Sequence, residues 1–392
     1  MATVTKRNNS YIIRVSCGYD TQGKQIRQSM TWTPKKGMTE RQIKKELDRQ
    51  KTLFEEAVKN GQVGNRNIKF EPFARQWLEQ IELERNLKPL TIDKYKKMQE
   101  RVYKAIGHLK LAEITRMQIQ RFINSLAQDG VNKITGGGLS TKSQKLYLGF
   151  ISDVFNYAIK CNILSVNPCQ NVSTIKTEKR ERVIFTLKEA QVFLERLNTA
   201  EPKYKAMFTL AIYSGMRHAE LLGLQWKDID FDSCIITINR IALYTTEKGY
   251  FYGDPKTKSA QRSLKLPVEI INMLSEYKVE QARQRLVLGD KWENNDLVFP
   301  NDYGRIMHQS ISLRWLKTFC KENNLPDITV HSLRHLNASL LISSGADVKT
   351  VSSTLGHSQT STTLDIYAHS FATKQAEASE AVADMLRIEK NA

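Results

Sequence analysis

Two stretches late in the chain, HSLRHLNASLLISSG at residues 331–345 and LGHSQTSTTLDIY at 355–367, place histidines, an arginine and a tyrosine close together. His331 and His335 are four residues apart, so on a helix they share one face and could ligate a metal ion. His331, Arg334, His357 and Tyr367 could instead act together on a phosphate group. The rest of the sequence decides between these two interpretations.

The composition is ordinary for a soluble protein of more than one domain. Of the 392 residues, 41% are hydrophobic, and this length exceeds what one core usually serves. No apolar run approaches the roughly 20 residues of a membrane span, and the start has no apolar core of signal-peptide length. We therefore expect a cytoplasmic protein. The five cysteines are scattered without a CxxC pair, which favours reduced thiols over a disulfide framework or a zinc ribbon.

The positive charge is concentrated in the first half of the chain. The net charge is +18. Residues 1–66 carry 14 Lys and Arg against 6 Asp and Glu, and residues 67–180 carry 19 against 10. Residues 181–392 are nearly balanced, with 26 against 25. Such clustering favours a protein that binds nucleic acid over a generally basic one.

Residues 1–61 predict a compact basic domain of a small sheet and one helix. Residues 10–33 alternate as two or three antiparallel strands do, joined at Asp20–Gly23. Thr39 with Gln42 forms a capping box for a helix that Gly61 ends. The residues of this domain that we expect to contact DNA are Arg14, Lys24 and Arg27.

Residues 67–172 predict an all-helical domain after a linker at 62–68. Apolar residues recur at helical spacing in four segments, and DGVNKITGGG at 129–138 predicts a loop. The outward positions that we single out as DNA contacts are Lys94, Lys97, Arg101, Lys142 and Lys145. An ordinary bundle with solvated faces would also show this pattern, and the segment alone leaves both readings open.

Residues 180–392 predict a mixed domain after a linker at 173–183. Thr186 with Glu189 forms another capping box, and the buried helices that follow break at Ser214–Gly215. The segments 232–244, 249–253 and 262–267 predict strands of one small sheet, with Lys256 in a hairpin-like turn between strands.

Several polar residues of this domain have a spacing that suits chemistry. Arg217 and Glu220 are three apart, so the carboxylate can hold the guanidinium. His331 and Arg334 share a helical face. A short helix ends at Gly356, His357 lies in the turn, and Tyr367 falls near the end of the next helix.

The order Arg, Lys, His-x-x-Arg, His, Tyr resembles the catalytic signature of the tyrosine recombinases, the phage integrase family. The segments that carry it are GMRHAELLGL at 215–224, PKTKSAQRSLKLP at 255–267 and the two stretches quoted above. The chain looks most like integrases of conjugative transposons and of temperate phages of Gram-positive bacteria. It departs from many relatives at Ala219, where Gly is frequent, and at Asn337, where a small hydroxyl is common.

The resemblance implies a mainly α fold with small β-sheets in three domains. These are an arm-binding sheet-plus-helix domain at 1–61, a four-helix core-binding domain at 67–172 and an α+β catalytic domain at 180–392. It also implies double-stranded DNA with core and arm sites as partner, a homotetramer on DNA, and room for an excisionase and a host DNA-bending protein. No membrane partner is expected.

The signature assigns a role to each residue, and the chemistry of strand exchange agrees. Tyr367 would attack the phosphorus and form a 3′-phosphotyrosine with a free 5′-hydroxyl, so neither ATP nor a metal is needed. Arg217 and Arg334 would stabilise the charge of the transition state. His331 would act as base, Lys256 would protonate the leaving oxygen, and His357 would donate to the phosphate. Glu220 would orient its neighbours.

Other function classes fit the sequence less well. A zinc hydrolase is disfavoured because HSLRH lacks the Glu of HExxH and no acidic or Cys ligand lies at zinc spacing. A DNA-binding regulator would leave the signature residues unused. A type IB-like topoisomerase uses the same chemistry but has no need of an arm-binding domain.

The segment SFATKQAEASEAVADMLR at 370–387 predicts an amphipathic helix after Tyr367. Its apolar stripe could pack on its own domain. It could also dock onto a neighbouring protomer, which the resemblance favours.

Overall fold

The computed structural model describes residues 2–19, 23–59, 68–84, 87–177, 183–255 and 261–356. The predictions for Lys256, His357, Tyr367, the segment 370–387 and nearly all of the linker at 62–68 lie outside these ranges. The chain divides into two units, Met1–Lys179 and Arg180–Ala392.

Across the described ranges, no helix is both long and apolar enough to cross a membrane.

The N-terminal residues form the predicted sheet and helix. The antiparallel sheet has the order β1-β2-β3, with β1 at Thr3–Arg7, β2 at Ser10–Tyr19 and β3 at Gln25–Trp32, and α1 follows at Glu40–Lys59. The sheet has one strand, β1, that lies before the predicted region at residues 10–33. A turn at Asn8, where φ is 51°, reverses the chain so that β1 pairs with β2. The capping box of Thr39 and Gln42 is confirmed. Ile13, Val15 and Phe54 are buried in a core of their own.

The helical block contains the four predicted helices, namely α2 at Phe70–Glu84, α3 at Pro89–Val102, α4 at Arg116–Ser125 and α5 at Thr141–Lys160. One π-helical turn at Tyr103–Gly107 extends α3. Their apolar faces enclose a second core around Phe70, Phe150 and Phe155.

The predicted linker at 173–183 is bound to this block at its start. The amide of Ser173 donates to the Gln120 side chain at 2.9 Å, and the amide of Ile175 donates to Gln144 at 2.9 Å. These bonds hold residues 173–175 against α4 and α5.

The second unit combines seven helices with short strands among its described residues. The helices are α6 at Leu187–Leu197, α7 at Pro202–Ser214, α8 at His218–Gly223, α9 at Val268–Leu288, α10 at Gln309–Glu322, α11 at Val330–Ser343 and α12 at Val348–Leu355. The strands are β4 at Ile229–Asp230, β5 at Ile235–Ile238, β6 at Ile241–Thr245, β7 at Gly249–Gly253 and β8 at Arg262–Lys265. The capping box of Thr186 and Glu189 is confirmed.

The prediction of one small sheet in this unit is wrong, because the strands form two sheets. One has the order β4-β5-β8 and the other is the hairpin β6-β7. Since Ile238 of β5 pairs with Arg262 of β8, residues 239–261 are an insertion between two paired strands. The chain leaves the first sheet at Arg240, whose side chain binds the buried Asp228.

Lys256 itself lies outside the described residues, but the strands before and after it in the sequence are described. The strands β7 and β8 flank it in sequence but belong to different sheets, so they do not form a hairpin with each other.

The packing of three helices in this unit brings Arg217 and Arg334 together. Helix α7 is buried on nearly all sides and ends at Ser214, after which Gly215 adopts a left-handed conformation with φ 59°. Helix α11 packs against α7, and α12 packs against α11. The end of α12 at Gly356, where φ is 64°, agrees with the prediction.

Candidate active site

Three arginines meet at the C-terminal end of α12. Arg262 Nε donates to the Thr354 carbonyl at 2.7 Å, and Arg334 Nη2 donates to the Leu355 carbonyl at 2.6 Å. Arg217 Nη2 donates to the Gly356 carbonyl at 2.8 Å. The last carbonyls of a helix have no intrahelical donor and form the negative end of its dipole. Three consecutive carbonyls therefore gather three guanidinium groups at one place.

Arg217 is fixed by the carboxylate of Glu220, as the spacing predicted. Glu220 Oε1 accepts from Arg217 Nη1 at 2.7 Å, and Glu220 Oε2 accepts from the Arg217 backbone amide at 2.8 Å. The second bond satisfies an amide at the start of α8, which helix geometry leaves without a partner. The Arg217 side chain remains 37% exposed, so it can reach a ligand from this fixed position.

Arg262 binds the same carboxylate from the other side. Its Nη2 lies 3.0 Å from Glu220 Oε2, and the two side chains are 7% and 1% exposed. Burial alone would raise the pKa of Glu220, but the hydrogen bonds and charge of Arg262 and the hydrogen bonds from Arg217 outweigh it and hold that pKa below its ordinary value. Glu220 is therefore an ionised anchor for two arginines.

Sequence reasoning assigned no role to Arg262. The available signal was its place in the strand RSLK: in a strand, alternate residues share a face, so Arg262 lies on the same face as Leu264, which is buried. An arginine on a buried strand face needs a partner, and its partner is Glu220.

Arg334 is the most deeply buried of the three arginines, at 2% exposure. Its Nη1 donates to the Gly215 carbonyl at 2.7 Å, in addition to the bond to Leu355. Burial, and next the positive charge of Arg217, lower the pKa of Arg334 to about 9. The Arg334 guanidinium is still charged at neutral pH, although burial and the nearby charge of Arg217 make that charge unfavourable.

The described cluster carries an excess of positive charge. It contains the guanidinium groups of Arg217, Arg262 and Arg334 and the carboxylate of Glu220, which leaves two positive charges uncompensated within it. Buried charge without a partner is costly. A phosphate group, whose negative charge increases on the way to a pentacoordinate transition state, complements this cluster.

The two histidines of HSLRH lie on the first turns of α11. His331 is exposed, whereas His335 is 9% exposed, and their ring centroids are 4.7 Å apart at an interplanar angle of 86°. His331 thus faces solvent on the helix that carries the buried Arg334. In the parts of the chain that the structure describes, no three His, Cys, Asp or Glu side chains are grouped as a metal site would need.

Asn337 has a structural role that the sequence did not reveal. Its Nδ2 donates to the carbonyls of Ile212 at 2.8 Å and Tyr213 at 3.1 Å, in the last turn of α7. The side chain therefore ties α11 to α7 close to the Gly215 carbonyl that binds Arg334.

The basic residues predicted to contact DNA differ in their surroundings. Exposed side chains are those of Arg14, Lys24, Arg27, Lys94, Lys142 and Lys145. Lys97 is paired with Asp93 at 2.6 Å. Arg101 donates to the Val131 carbonyl at 3.2 Å and lies over the Tyr147 ring.

Gly215→Ala is expected to destabilise the second unit by about 2–4 kcal/mol. A Cβ at this position would lie 2.5 Å from Leu355 Cδ2 and 2.7 Å from Asn337 Oδ1, at a φ that L residues rarely adopt. Gly249→Ala is the matched control, because Gly249 has φ 66° with no atom within 4 Å of its added Cβ. Thermal unfolding of both variants separates backbone strain from collision, and equal losses would contradict the collision.

Comparison with known proteins finds matches to integrases in both units of the chain. A model of the phage integrase family matches residues 183–374, and a model of the phage integrase N-terminal SAM-like domain matches residues 69–127. The chain is 28% identical over 271 residues to the ICEBs1 integrase of Bacillus subtilis, which covers 69% of this chain and 73% of that protein.

The fold is similar to that of a solved integrase. The Tn1549 transposon integrase in complex with transposon right end DNA gives a TM-score of 0.63 at 21% identity, over 80% of this chain and 99% of that chain. The chain is also 30% identical over 393 residues to a XerC-like tyrosine recombinase of Caldanaerobacter subterraneus subsp. tengcongensis, which covers 96% of each protein. With this identity along almost its whole length, the chain belongs to the phage integrase family of tyrosine recombinases.

Proposed function

We propose that this chain integrates and excises a mobile DNA element, such as a conjugative transposon or a prophage, by cutting and rejoining double-stranded DNA through a 3′-phosphotyrosine at Tyr367. The observation that carries the proposal is the group of three arginines at the end of α12, with two positive charges uncompensated. Such a site suits the charge that develops on a phosphodiester under attack.

Arg217 and Arg334 bind the two non-bridging oxygens of the scissile phosphate. Their bonds to Gly356 and Leu355 use one N–H of each Nη2, and a guanidinium has five N–H donors in total. Both arginines can therefore donate to a phosphate while they remain attached to α12. The attachment fixes their positions before DNA binds, so little reorganisation is needed in the transition state.

Tyr367 is the nucleophile, and the residues around it move the protons. A free tyrosine has a pKa near 10, so it needs a base or a strong hydrogen bond, and His331 supplies it. Lys256, on the connection between β7 and β8, protonates the 5′-oxygen as it leaves. His357 follows Gly356 directly in the chain, and Arg217 binds the Gly356 carbonyl, which supports a role for His357 as a further donor to the phosphate.

This reaction conserves the energy of the broken bond. Tyr367 replaces one phosphoester with another, and the 5′-hydroxyl of the partner strand reverses the step. The chemistry therefore requires neither ATP nor a metal ion. Exchange between two duplexes cuts four strands, which is why we propose a homotetramer on DNA, with an excisionase and a host DNA-bending protein as further partners.

The N-terminal sheet offers a surface for separate arm sites. On its face away from α1, Arg14 lies opposite Ser29 of β3 and Thr3 of β1, and Arg27 lies opposite Ser16. Arginines and hydroxyl side chains bind phosphates and base edges.

Deletion of residues 1–61 should leave cleavage of an isolated core site intact and reduce recombination of full sites. Recombination of full sites at the wild-type level by the truncated protein would contradict an arm-binding role.

The helical block adds contacts at the core site. Lys94 on α3 and Lys142 and Lys145 on α5 are exposed, and none of the three forms an ion pair within the described residues. Each phosphate that such a cation neutralises releases counterions, so DNA binding should weaken steeply with salt.

The experiment that tests the proposal is covalent capture on a nicked core site. The nick lets the short 5′-hydroxyl fragment diffuse away after cleavage, so the phosphotyrosine accumulates. We expect a covalent complex with the 3′ end of the cut strand, formed without ATP and in the presence of EDTA. Peptide mapping should place the DNA on Tyr367; a requirement for a divalent metal, or a product with a free 3′-phosphate, would contradict the proposal.

A further inference from the structure

Arg262 connects several groups of the candidate active site by hydrogen bonds, but the proposed reaction gives it no role. Its Nη1 and Nη2 donate to the two oxygens of Glu220 and its Nε donates to a backbone carbonyl, so these three donor atoms bind groups of the protein. It binds Glu220 at 3.0 Å and the Thr354 carbonyl at 2.7 Å. These two partners belong to α8 and α12, the elements that fix Arg217 and Arg334.

We infer that Arg262 is a positioning residue for strand cleavage: it holds Glu220 and the end of α12 so that Arg217 and Arg334 grip the scissile phosphate together. This inference rests on the proposed function. Glu220 Oε1 accepts from Arg217 at 2.7 Å and Oε2 accepts from Arg262 at 3.0 Å, so the carboxylate is clamped between two cations. Without Arg262, the Glu220 carboxylate would bind only Arg217. It could then rotate, and the Arg217 guanidinium would move with it.

The same bonds set the distance between the two phosphate-binding arginines. Arg262 binds the Thr354 carbonyl. The next two carbonyls in the chain, those of Leu355 and Gly356, bind Arg334 and Arg217. A bond that fixes the first carbonyl therefore also restricts the positions of the other two. A guanidinium is planar and makes bonds in two fixed directions, which a lysine ammonium does not reproduce. The arrangement therefore requires arginine at this position rather than any cation.

Arg262→Met should reduce the single-turnover rate of cleavage on the nicked core site about 10- to 100-fold, as the loss of an orienting partner does. DNA affinity should change little, because Arg262 binds Glu220 and Thr354 and acts on the phosphate only through them. Arg262→Lys keeps the charge and should recover only part of the rate. Rates are measured below the unfolding temperature of each variant, so that loss of folded protein does not count as loss of chemistry.

Three readouts separate positioning from a merely structural role. In an Arg217→Met background, Arg262→Met should add almost no further loss, because its effect passes through Arg217. A methylphosphonate at the scissile position removes one negative charge that the arginines stabilise, so the deficit of Arg262→Met should shrink on that substrate. A 5′-bridging phosphorothiolate, whose sulfur leaves without a proton, should not restore the rate.

Arg240→Met is the matched control. Arg240 forms an ion pair with the buried Asp228 in the same unit but has no bond to Arg217, Glu220 or α12 among the described contacts. This variant should lower the stability of the protein. It should leave the ratio of cleavage rates on the ordinary phosphodiester and on the methylphosphonate unchanged. A wild-type rate for Arg262→Met, full additivity with Arg217→Met, or rescue by the phosphorothiolate would overturn the positioning role. If Tyr367→Phe still forms the adduct, the proposed function itself fails, and that outcome is independent of Arg262.

Discussion

Tyr367→Phe is expected to form no covalent protein–DNA complex on the nicked core site, while its affinity for that site stays near that of the wild type. The change removes one oxygen, and that oxygen is the atom that would bond to phosphorus. Because the phosphotyrosine is the only route from cut to rejoined DNA in the proposed mechanism, strand exchange should fall below detection. Gel retention under denaturing conditions measures the adduct, and a mobility shift measures binding.

Tyr303→Phe is the control for this change. Tyr303 lies in the same unit and is 54% exposed, so its hydroxyl can be removed without disturbing the core. This variant should form the adduct at the wild-type rate. An adduct that persists in Tyr367→Phe, or one that disappears in Tyr303→Phe, would show that the nucleophile has been assigned to the wrong tyrosine.

Arg334→Met is expected to slow cleavage by about 10²- to 10³-fold, the cost of removing one donor from a site that stabilises developing negative charge. It should also reduce stability, because the carbonyls of Gly215 and Leu355 lose their donor at 2.7 and 2.6 Å. An unpaired buried acceptor costs about 1–3 kcal/mol, and relief of an unfavourable buried charge offsets part of that loss. Thermal unfolding and single-turnover cleavage measure the two effects separately.

The control for Arg334 is an arginine that touches nothing in the site. Arg283 is 72% exposed on α9 and forms a surface ion pair with Glu280, so Arg283→Met should keep both rate and stability. Arg334→Lys should remain slow, because one ammonium cannot bind two carbonyls and a phosphate in the geometry of a guanidinium. Normal cleavage by Arg334→Lys would show that charge alone is sufficient there.

Much of the local structure could be predicted because short-range contacts control it. The capping boxes at Thr39 and Thr186 join residues three apart, and the helix ends at Ser214 and Gly356 follow from glycines in left-handed conformations. The pair of Arg217 and Glu220 is also three residues apart, and the structure contains it. In each of these cases the interacting groups are neighbours in sequence, so the pattern of residues is sufficient.

Sheet pairing could not be predicted in the same way. The segment at 232–244 alternates through its whole length, yet the chain changes sheets between β5 and β6. The partner of β5 is β8, and Thr237 pairs with Ser263 across the insertion. Alternation identifies strands but does not identify their partners, because pairing depends on contacts between distant segments.

The sequence by itself determined the family resemblance, the order of the catalytic candidates and the helices that carry Arg217, His331 and Arg334. Only the tertiary structure decided that Arg262 shares Glu220 with Arg217 and that three arginines bind consecutive carbonyls of α12. Arg262 and Glu220 are 42 residues apart, and Arg217 and Gly356 are 139 apart. Bonds over such distances exist only after α7, α11 and α12 have packed, because burial of their apolar faces brings the polar groups within reach.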